Sequence, residues 1–187
     1  MIALVASAGG LAAVSRVLGD FPESFGASVV VLIHQAPDRV SELVGLLSRV
    51  SALPVVAAEH GHRLEPGRVV VVPSGKHLLV TPALETALLA SGAAPPSRPS
   101  ADLLLASLAV SVGPRAVGVV LSGGGHDGAT GATAIHVLGG RVLATDEATS
   151  EAFRMPQATI EREGVIDRVL PLGDVAAALA SLVSTPA

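Results

Sequence analysis

Ile2-Ala3-Leu4-Val5-Ala6-Ser7-Ala8-Gly9-Gly10 is an apolar run that stops at a hydroxyl and two glycines, and LAAVSRVL (residues 11–18) follows at once. A short apolar run bounded by glycine and followed by helical spacing reads as a buried parallel strand feeding a helix through a tight turn. Ser7 then stands at the carboxyl end of a sheet. In open α/β sheets that edge is where strand ends, loops and helix amino termini converge on ligands. A serine there is open to three readings: a nucleophile, a phosphate contact or the N-cap of the following helix.

The same alternation continues outward from this stretch. Gly19 stops the first helix, and the β-branched run at residues 27–33 reads as a second central strand that again ends on a polar residue, His34. Pro37 and Asp38 open a helix expected over residues 39–49, with Val40, Leu43, Val44 and Leu47 on one face. Residues 53–57 read as a third strand. Between Glu59 and Leu89 the period shortens, and three short strands at 68–72, 76–80 and 84–89 read as a β-meander at the edge of the parallel sheet. A Pro-rich connector at 92–99 cannot continue a ladder. Ser100 caps the next helix, with Asp102 in its first turn where the helix dipole favours a carboxylate. The carboxyl half repeats the opening: a strand at 115–121, the glycine-rich turn Ser122 to Gly128, a helix at 129–138, a strand at 142–144, a polar loop from Thr145, a short helix from Pro156, a strand at 165–170 and a helix capped by Asp174. Strands and helices alternating through short loops predict a doubly wound α/β sheet, mostly parallel, with flanking helices in a single domain over 1–187.

Composition narrows the function classes. The chain has 187 residues, half of them apolar, which suits one core of ordinary size. Charged residues are 15 % of the total, the net charge is -4 and no Lys/Arg cluster occurs, so the footprint of a nucleic-acid binder is missing. Without Tyr or Trp the best base-stacking platforms are missing too. The lack of cysteine excludes disulfides, thiol nucleophiles and cysteine-based zinc sites. No apolar run reaches the roughly 18 residues of a membrane span, and no basic leader precedes the first strand. The expectation is a cytoplasmic protein with no membrane insertion, no nucleic-acid partner, no metal and no cofactor.

Ser7, His34 and Asp127 each stand just past a buried strand. Strand ends on one sheet edge lie about 5 Å apart per strand, so the three can converge if their strands are neighbours. Such a set has a chemical logic. A serine hydroxyl is a weak nucleophile until an imidazole takes its proton, and a carboxylate fixes the imidazole tautomer and stabilises its cation. Glycines beside Ser7 would let backbone amides approach a developing oxyanion. Other imidazoles are weaker candidates. His60-Gly61-His62 with His77 lacks the carboxylate or cysteine pattern of a metal set. His126 adjoins Asp127 on a turn, where neighbouring residues seldom face each other, and His136 falls within a helix. The glycine-rich turns also allow a non-hydrolytic nucleotide- or phosphate-binding module. Against it, residues 123–131 lack the Lys-Ser/Thr ending of a P-loop, and residues 7–10 lack the three-glycine dinucleotide spacing.

Five ordered motifs carry a resemblance. Ser7-Ala8-Gly9-Gly10, His34-Gln35-Ala36-Pro37, Arg98-Pro99-Ser100-Ala101-Asp102, GGGHDGATG at 123–131, and Asp146-Glu147 with Met155-Pro156 resemble the motifs of the CheB-type methylesterase catalytic domain, across essentially the whole chain. The resemblance implies a protein-glutamate methylesterase, often also a protein-glutamine glutaminase, acting on methyl-accepting chemoreceptors in chemotaxis adaptation. It implies Ser7 as nucleophile, His34 as base and Asp127 as orienting acid. That chain order differs from those of three unrelated serine hydrolase classes, so the roles must come from geometry. The family's full-length regulators also carry a receiver domain, which the resemblance here does not include. Two departures bear on the pocket: Val5 stands where the family usually has glycine, and Gly124 where it usually has methionine. Arg98 and Arg154 lie in family-like segments and are candidates to meet acidic side chains beside a methylation site.

Overall fold

The computed structural model describes residues 1–36, 41–90 and 99–184. In chain order they form β1 (Ile2–Ala6), α1 (Gly10–Gly19), β2 (Val29–Ile33), α2 (Leu43–Ser48), β3 (Val55–Ala57), β4 (Val69–Val71), β5 (Lys76–Val80) and β6 (Thr86–Ala90). There follow α3 (Ala101–Val112), β7 (Val117–Val120), α4 (Ala129–Val137), β8 (Arg141–Thr145), α5 (Arg154–Ile160), β9 (Arg168–Leu170) and α6 (Val175–Ser184). Seven of the described strands make one parallel sheet in the order β3-β4-β2-β1-β7-β8-β9, so the doubly wound α/β reading holds.

β1 lies at the centre and is buried along its whole length. A parallel strand covered on both faces must be apolar on both, which is why its sequence runs without alternation. Successive residues still face opposite sides. Ile2, Leu4 and Ala6 join the core under α1, α2 and α6, whereas Ala3 and Val5 join the core under α3, α4 and α5. In the second core Leu104, Leu105 and Leu108 of α3 are wholly buried, each contributing about 1.5–3 kcal/mol of burial free energy. Val5, the first departure from the family pattern, is a fully buried member of this core.

The edge meander is corrected in its connectivity. β4 enters the parallel sheet between β3 and β2, pairing Val69 with Val29 and with Val55. β5 and β6 form their own antiparallel two-stranded sheet, with Lys76 opposite Ala90. This hairpin is fastened to α3, where Ser107 Oγ accepts the Val80 amide at 3.0 Å and Ser111 Oγ donates to the Val80 carbonyl at 2.7 Å. The expected helix opening at Pro37 and Asp38 lies outside the described residues, and the described helix starts at Leu43. Among the described residues no helix is long and apolar enough to cross a membrane.

The chain leaves β1 toward β2 on one side and returns to it through β7 on the other. The winding therefore reverses at β1, and the carboxyl ends of β1, β2 and β7 form the crevice in which α/β sheets bind ligands.

Candidate active site

Ser7 directly follows β1 and His34 directly follows β2. The last register pair of the two strands is Ala6↔Ile33, so Ser7 and His34 are the next residues on adjacent strand ends. Backbone bonds hold both: the His34 amide donates to the Ala6 carbonyl at 3.0 Å, and the Ser7 amide to the Ser122 carbonyl at the end of β7 at 2.9 Å. Continuing the strand alternation, Ser7 follows Ala3 and Val5, and His34 follows Val30 and Leu32, onto the face covered by α3 and α4.

On that face waits Asp127. His34 Nε2 donates to Asp127 Oδ2 at 2.8 Å, with the side chains 16 % and 15 % exposed. The same carboxylate accepts the amides of Ala101 at 2.7 Å and Asp102 at 2.9 Å, at the start of α3. The Ser100 hydroxyl, N-cap of α3 as expected, also donates to it at 3.3 Å. Burial alone would raise the Asp127 pKa. The hydrogen bond from His34 and those from the two amides outweigh burial, and the pKa is lowered. The carboxylate thus stays ionised and accepts the Nε2–H of His34; in the neutral imidazole that tautomer leaves Nδ1 as the acceptor.

The Ser7 hydroxyl makes no hydrogen bond to a described group, His34 included. The bland reading of Ser7 also fails. The N-cap of α1 is Gly9, and no side chain caps that helix. Gly9 has φ +72°, and a Cβ there would stand 2.7 Å from Glu151 Cβ and 2.8 Å from Ser122 Oγ, so the turn after Ser7 requires glycine twice over. Ser122 ties the site together: its hydroxyl donates to the Ala8 carbonyl at 2.8 Å and accepts the Ala152 amide at 2.9 Å. The amides of Ala8, Gly9 and Gly124 donate to no described group, and Gly123, beside Gly124, packs on Ser7, where a Cβ would stand 3.0 Å from Ser7 Cβ. At Gly124, the second departure, a Cβ would meet nothing within 4 Å. The missing side chain therefore leaves open space.

An open pocket of about 510 Å³ reaches Ser7, lined by Ser7, Gly9, Leu11, Ile33 and Glu151 among others; neither His34 nor Asp127 is among its described lining residues. A second cavity of about 480 Å³, with Met1, Ser28, Arg115 and Arg141 in its wall, lies at the other edge of the sheet and contains none of Ser7, His34 or Asp127.

The other imidazoles are dispersed. His60 Nδ1 accepts the Leu88 amide at 3.3 Å, buried His77 accepts the Ser100 amide through Nδ1 at 3.2 Å, and His126 and His136 are exposed. No group of three His, Asp or Glu among the described residues is placed to hold a metal. Sequence reasoning missed the bridging role of Ser122, although a polar residue ending β7 repeats the pattern of Ser7 and His34. It also missed Glu151, for which no local signal exists. Arg98 lies outside the described residues.

Comparison with known proteins gives the chain's relatives. A sequence model of the CheB methylesterase family matches residues 2–179. The protein-glutamate methylesterase FrzG of Myxococcus xanthus is 42 % identical over 179 residues, spanning 96 % of this chain and 53 % of that protein. A protein-glutamate methylesterase/protein-glutamine glutaminase of Anaeromyxobacter dehalogenans is 40 % identical over 185 residues, 97 % of this chain and 53 % of the relative. The chain thus spans about half the length of these curated relatives. The crystal structure of the Thermotoga maritima CheB methylesterase catalytic domain superimposes with a TM-score of 0.91 at 32 % identity, covering 97 % of both chains. The chain belongs to the CheB methylesterase family.

Proposed function

We propose that this chain hydrolyses glutamyl methyl esters on an exposed protein surface, with Ser7 as nucleophile, His34 as general base and Asp127 as the acid that orients it. The observation that carries the reading is the 2.8 Å bond from His34 Nε2 to an ionised Asp127, one strand away from Ser7. Rotation of the Ser7 hydroxyl toward the free Nδ1 completes the relay; catalytic hydrogen bonds often tighten only with substrate bound. Ser7 Oγ then attacks the ester carbonyl while His34 takes its proton. The tetrahedral oxyanion is held by free backbone amides beside Ser7 and at Gly124. Collapse breaks the bond to the methoxy oxygen, which leaves as methanol with the proton from His34. Water, deprotonated by the same imidazole, cleaves the acyl-serine and restores Ser7 with a free glutamate carboxylate. The primary amide of glutamine would follow the same path and release ammonia.

The open pocket suits a side chain presented on the surface of a helix better than a free small molecule. The names of the relatives and the family's chemistry support a methylated chemoreceptor, or a similarly methylated protein, as substrate. Arg154, exposed at the start of α5 and in no ion pair with a described residue, does not line the pocket at Ser7, so any attraction it exerts on acidic side chains falls outside that pocket and would weaken with salt.

A serine-directed organophosphonate tests the centre. Native protein is expected to be labelled on Ser7, and His34→Ala to resist. Native protein that is never labelled yet binds nucleotides tightly would return the site to the phosphate-binding class. Methanol release from a methylated receptor fragment, run beside p-nitrophenyl acetate, tests the substrate. Turnover of the small ester with no release from any methylated receptor would remove that claim while leaving the relay intact.

A further inference from the structure

Among the described residues, the pocket at Ser7 has one charged wall. Ser7, Gly9, Leu11 and Ile33 are neutral, and Glu151 is the ionisable residue that lines it. The loop after β8 lays this side chain against the turn that follows the nucleophile. A Cβ on Gly9 would stand 2.9 Å from Glu151 Oε2 as well as 2.7 Å from Glu151 Cβ. Among the described residues no cation pairs with the carboxylate, and no hydrogen bond engages it.

An unneutralised anion is a liability to the proposed chemistry. The tetrahedral intermediate formed at Ser7 is itself negative, and catalytic sites favour groups that stabilise such charge. Glu151 therefore does not assist bond cleavage, and its effect falls on what approaches Ser7. A positive group beside the ester is attracted and its own charge offsets the carboxylate; a negative one is repelled. Arg154 does not line this pocket and leaves the balance at the ester itself to Glu151.

We propose that Glu151 is a specificity-determining residue which selects esters with a cationic group immediately beside the scissile bond and rejects those with an anionic one. The proposal rests on the reading of Ser7 as nucleophile. In substrate terms, the preferred site is a glutamyl methyl ester whose nearest neighbour on the protein surface is lysine or arginine. For charges roughly 6 Å apart in a solvated cleft, the expected selectivity is about three- to ten-fold per unit charge.

The test uses three p-nitrophenyl phosphonates of equal length whose tails end in trimethylammonium, tert-butyl or sulfonate. The rate of nitrophenolate release and the mass of the Ser7 adduct are followed in native protein and in Glu151→Gln and Glu151→Lys. Native protein should react in the order cationic, neutral, anionic, with a cationic-to-anionic ratio of about ten-fold or more at low salt that shrinks in concentrated NaCl. Glu151→Gln should bring the ratio to within about two-fold, and Glu151→Lys should invert it, as expected when a single charge sets the preference. Equal rates for the three probes in native protein, or a ratio that survives in Glu151→Gln, overturns the proposal while labelling of Ser7 upholds the nucleophile. Absence of labelling by all three probes overturns both.

Discussion

Asp102 and Asp127 each cap the helix that the other introduces. Asp127, just before α4, accepts the Ala101 and Asp102 amides that open α3. Asp102, in the first turn of α3, accepts through Oδ1 the Gly128 amide at 2.9 Å and the Gly131 amide at 2.8 Å that open α4. Both carboxylates face helix amino termini, where orphan donors and the dipole favour negative charge. Because Asp127 also holds His34, the exchange fixes the imidazole through two helices.

Asp102 is accordingly a positioning residue. Asp102→Ala should lower stability by about 1–2 kcal/mol, the usual effect of losing a helix cap. Esterase kcat should fall about ten-fold or more with KM little changed, since a misplaced orienting acid acts on the reaction step. Asp102→Asn keeps an acceptor oxygen and should recover part of both. Urea melts beside p-nitrophenyl acetate kinetics check this; a stability loss with unaltered kcat would reduce Asp102 to a plain cap.

The lowered pKa of Asp127 makes part of the stability depend on pH. A carboxyl whose folded pKa is depressed contributes stability that is fully present above the unfolded value of about 3.9 and is lost as pH falls through the folded value. Asp127→Asn removes this titration. Native protein should therefore exceed the variant in stability near neutral pH, and the two should converge as pH drops below about 4. Urea unfolding across that window measures the gap; a gap that stays constant would mean Asp127 is held by packing rather than charge.

Much of this centre was legible because it depends on strand ends. The uninterrupted runs 2–6 and 29–33 announce central parallel strands, and the residue after each is polar, so Ser7 and His34 follow from local pattern alone. β4 was misplaced because its three valines lie between turn signals at Pro66-Gly67 and Pro73-Ser74-Gly75, which look the same whether the strand joins a hairpin or a distant parallel partner. The sequence pattern marks Asp102 only as a favourable charge in its own helix. Its bonds to Gly128 and Gly131 depend on two helices meeting in space, which periodicity does not encode. The approach of Glu151 to Gly9 is of the same kind.

Gly131 is the position that lets the two helices meet. A Cβ there would lie 2.6 Å from Leu105 Cβ and 2.8 Å from the Asp102 carbonyl, with no flexible side-chain end to yield. Gly131→Ala should push α3 from α4 and cost about 1–3 kcal/mol, despite the better helix propensity of alanine. It should also lower kcat by loosening both caps. Thermal denaturation and esterase assays read the two effects; a variant as stable and active as native protein would show that the helices can separate without disturbing His34.

Ser122 links the turn after Ser7 to the loop bearing Glu151. Its hydroxyl donates to the Ala8 carbonyl at 2.8 Å and accepts the Ala152 amide at 2.9 Å, and the residue is only 3 % exposed. Ser122→Ala leaves the half-buried Ala152 amide and the exposed Ala8 carbonyl without this partner, at a cost of about 0.5–1.5 kcal/mol. Both the turn after Ser7 and the position of Glu151 should relax. The variant should therefore lose kcat toward a neutral ester and also lose part of the charge selectivity attributed to Glu151, whereas Glu151→Gln should alter selectivity through charge alone. Phosphonate labelling rates with cationic and anionic probes distinguish the two. If Ser122→Ala slows all probes by one common factor, Ser122 supports only the nucleophile, and the Glu151 loop is held by its other contacts.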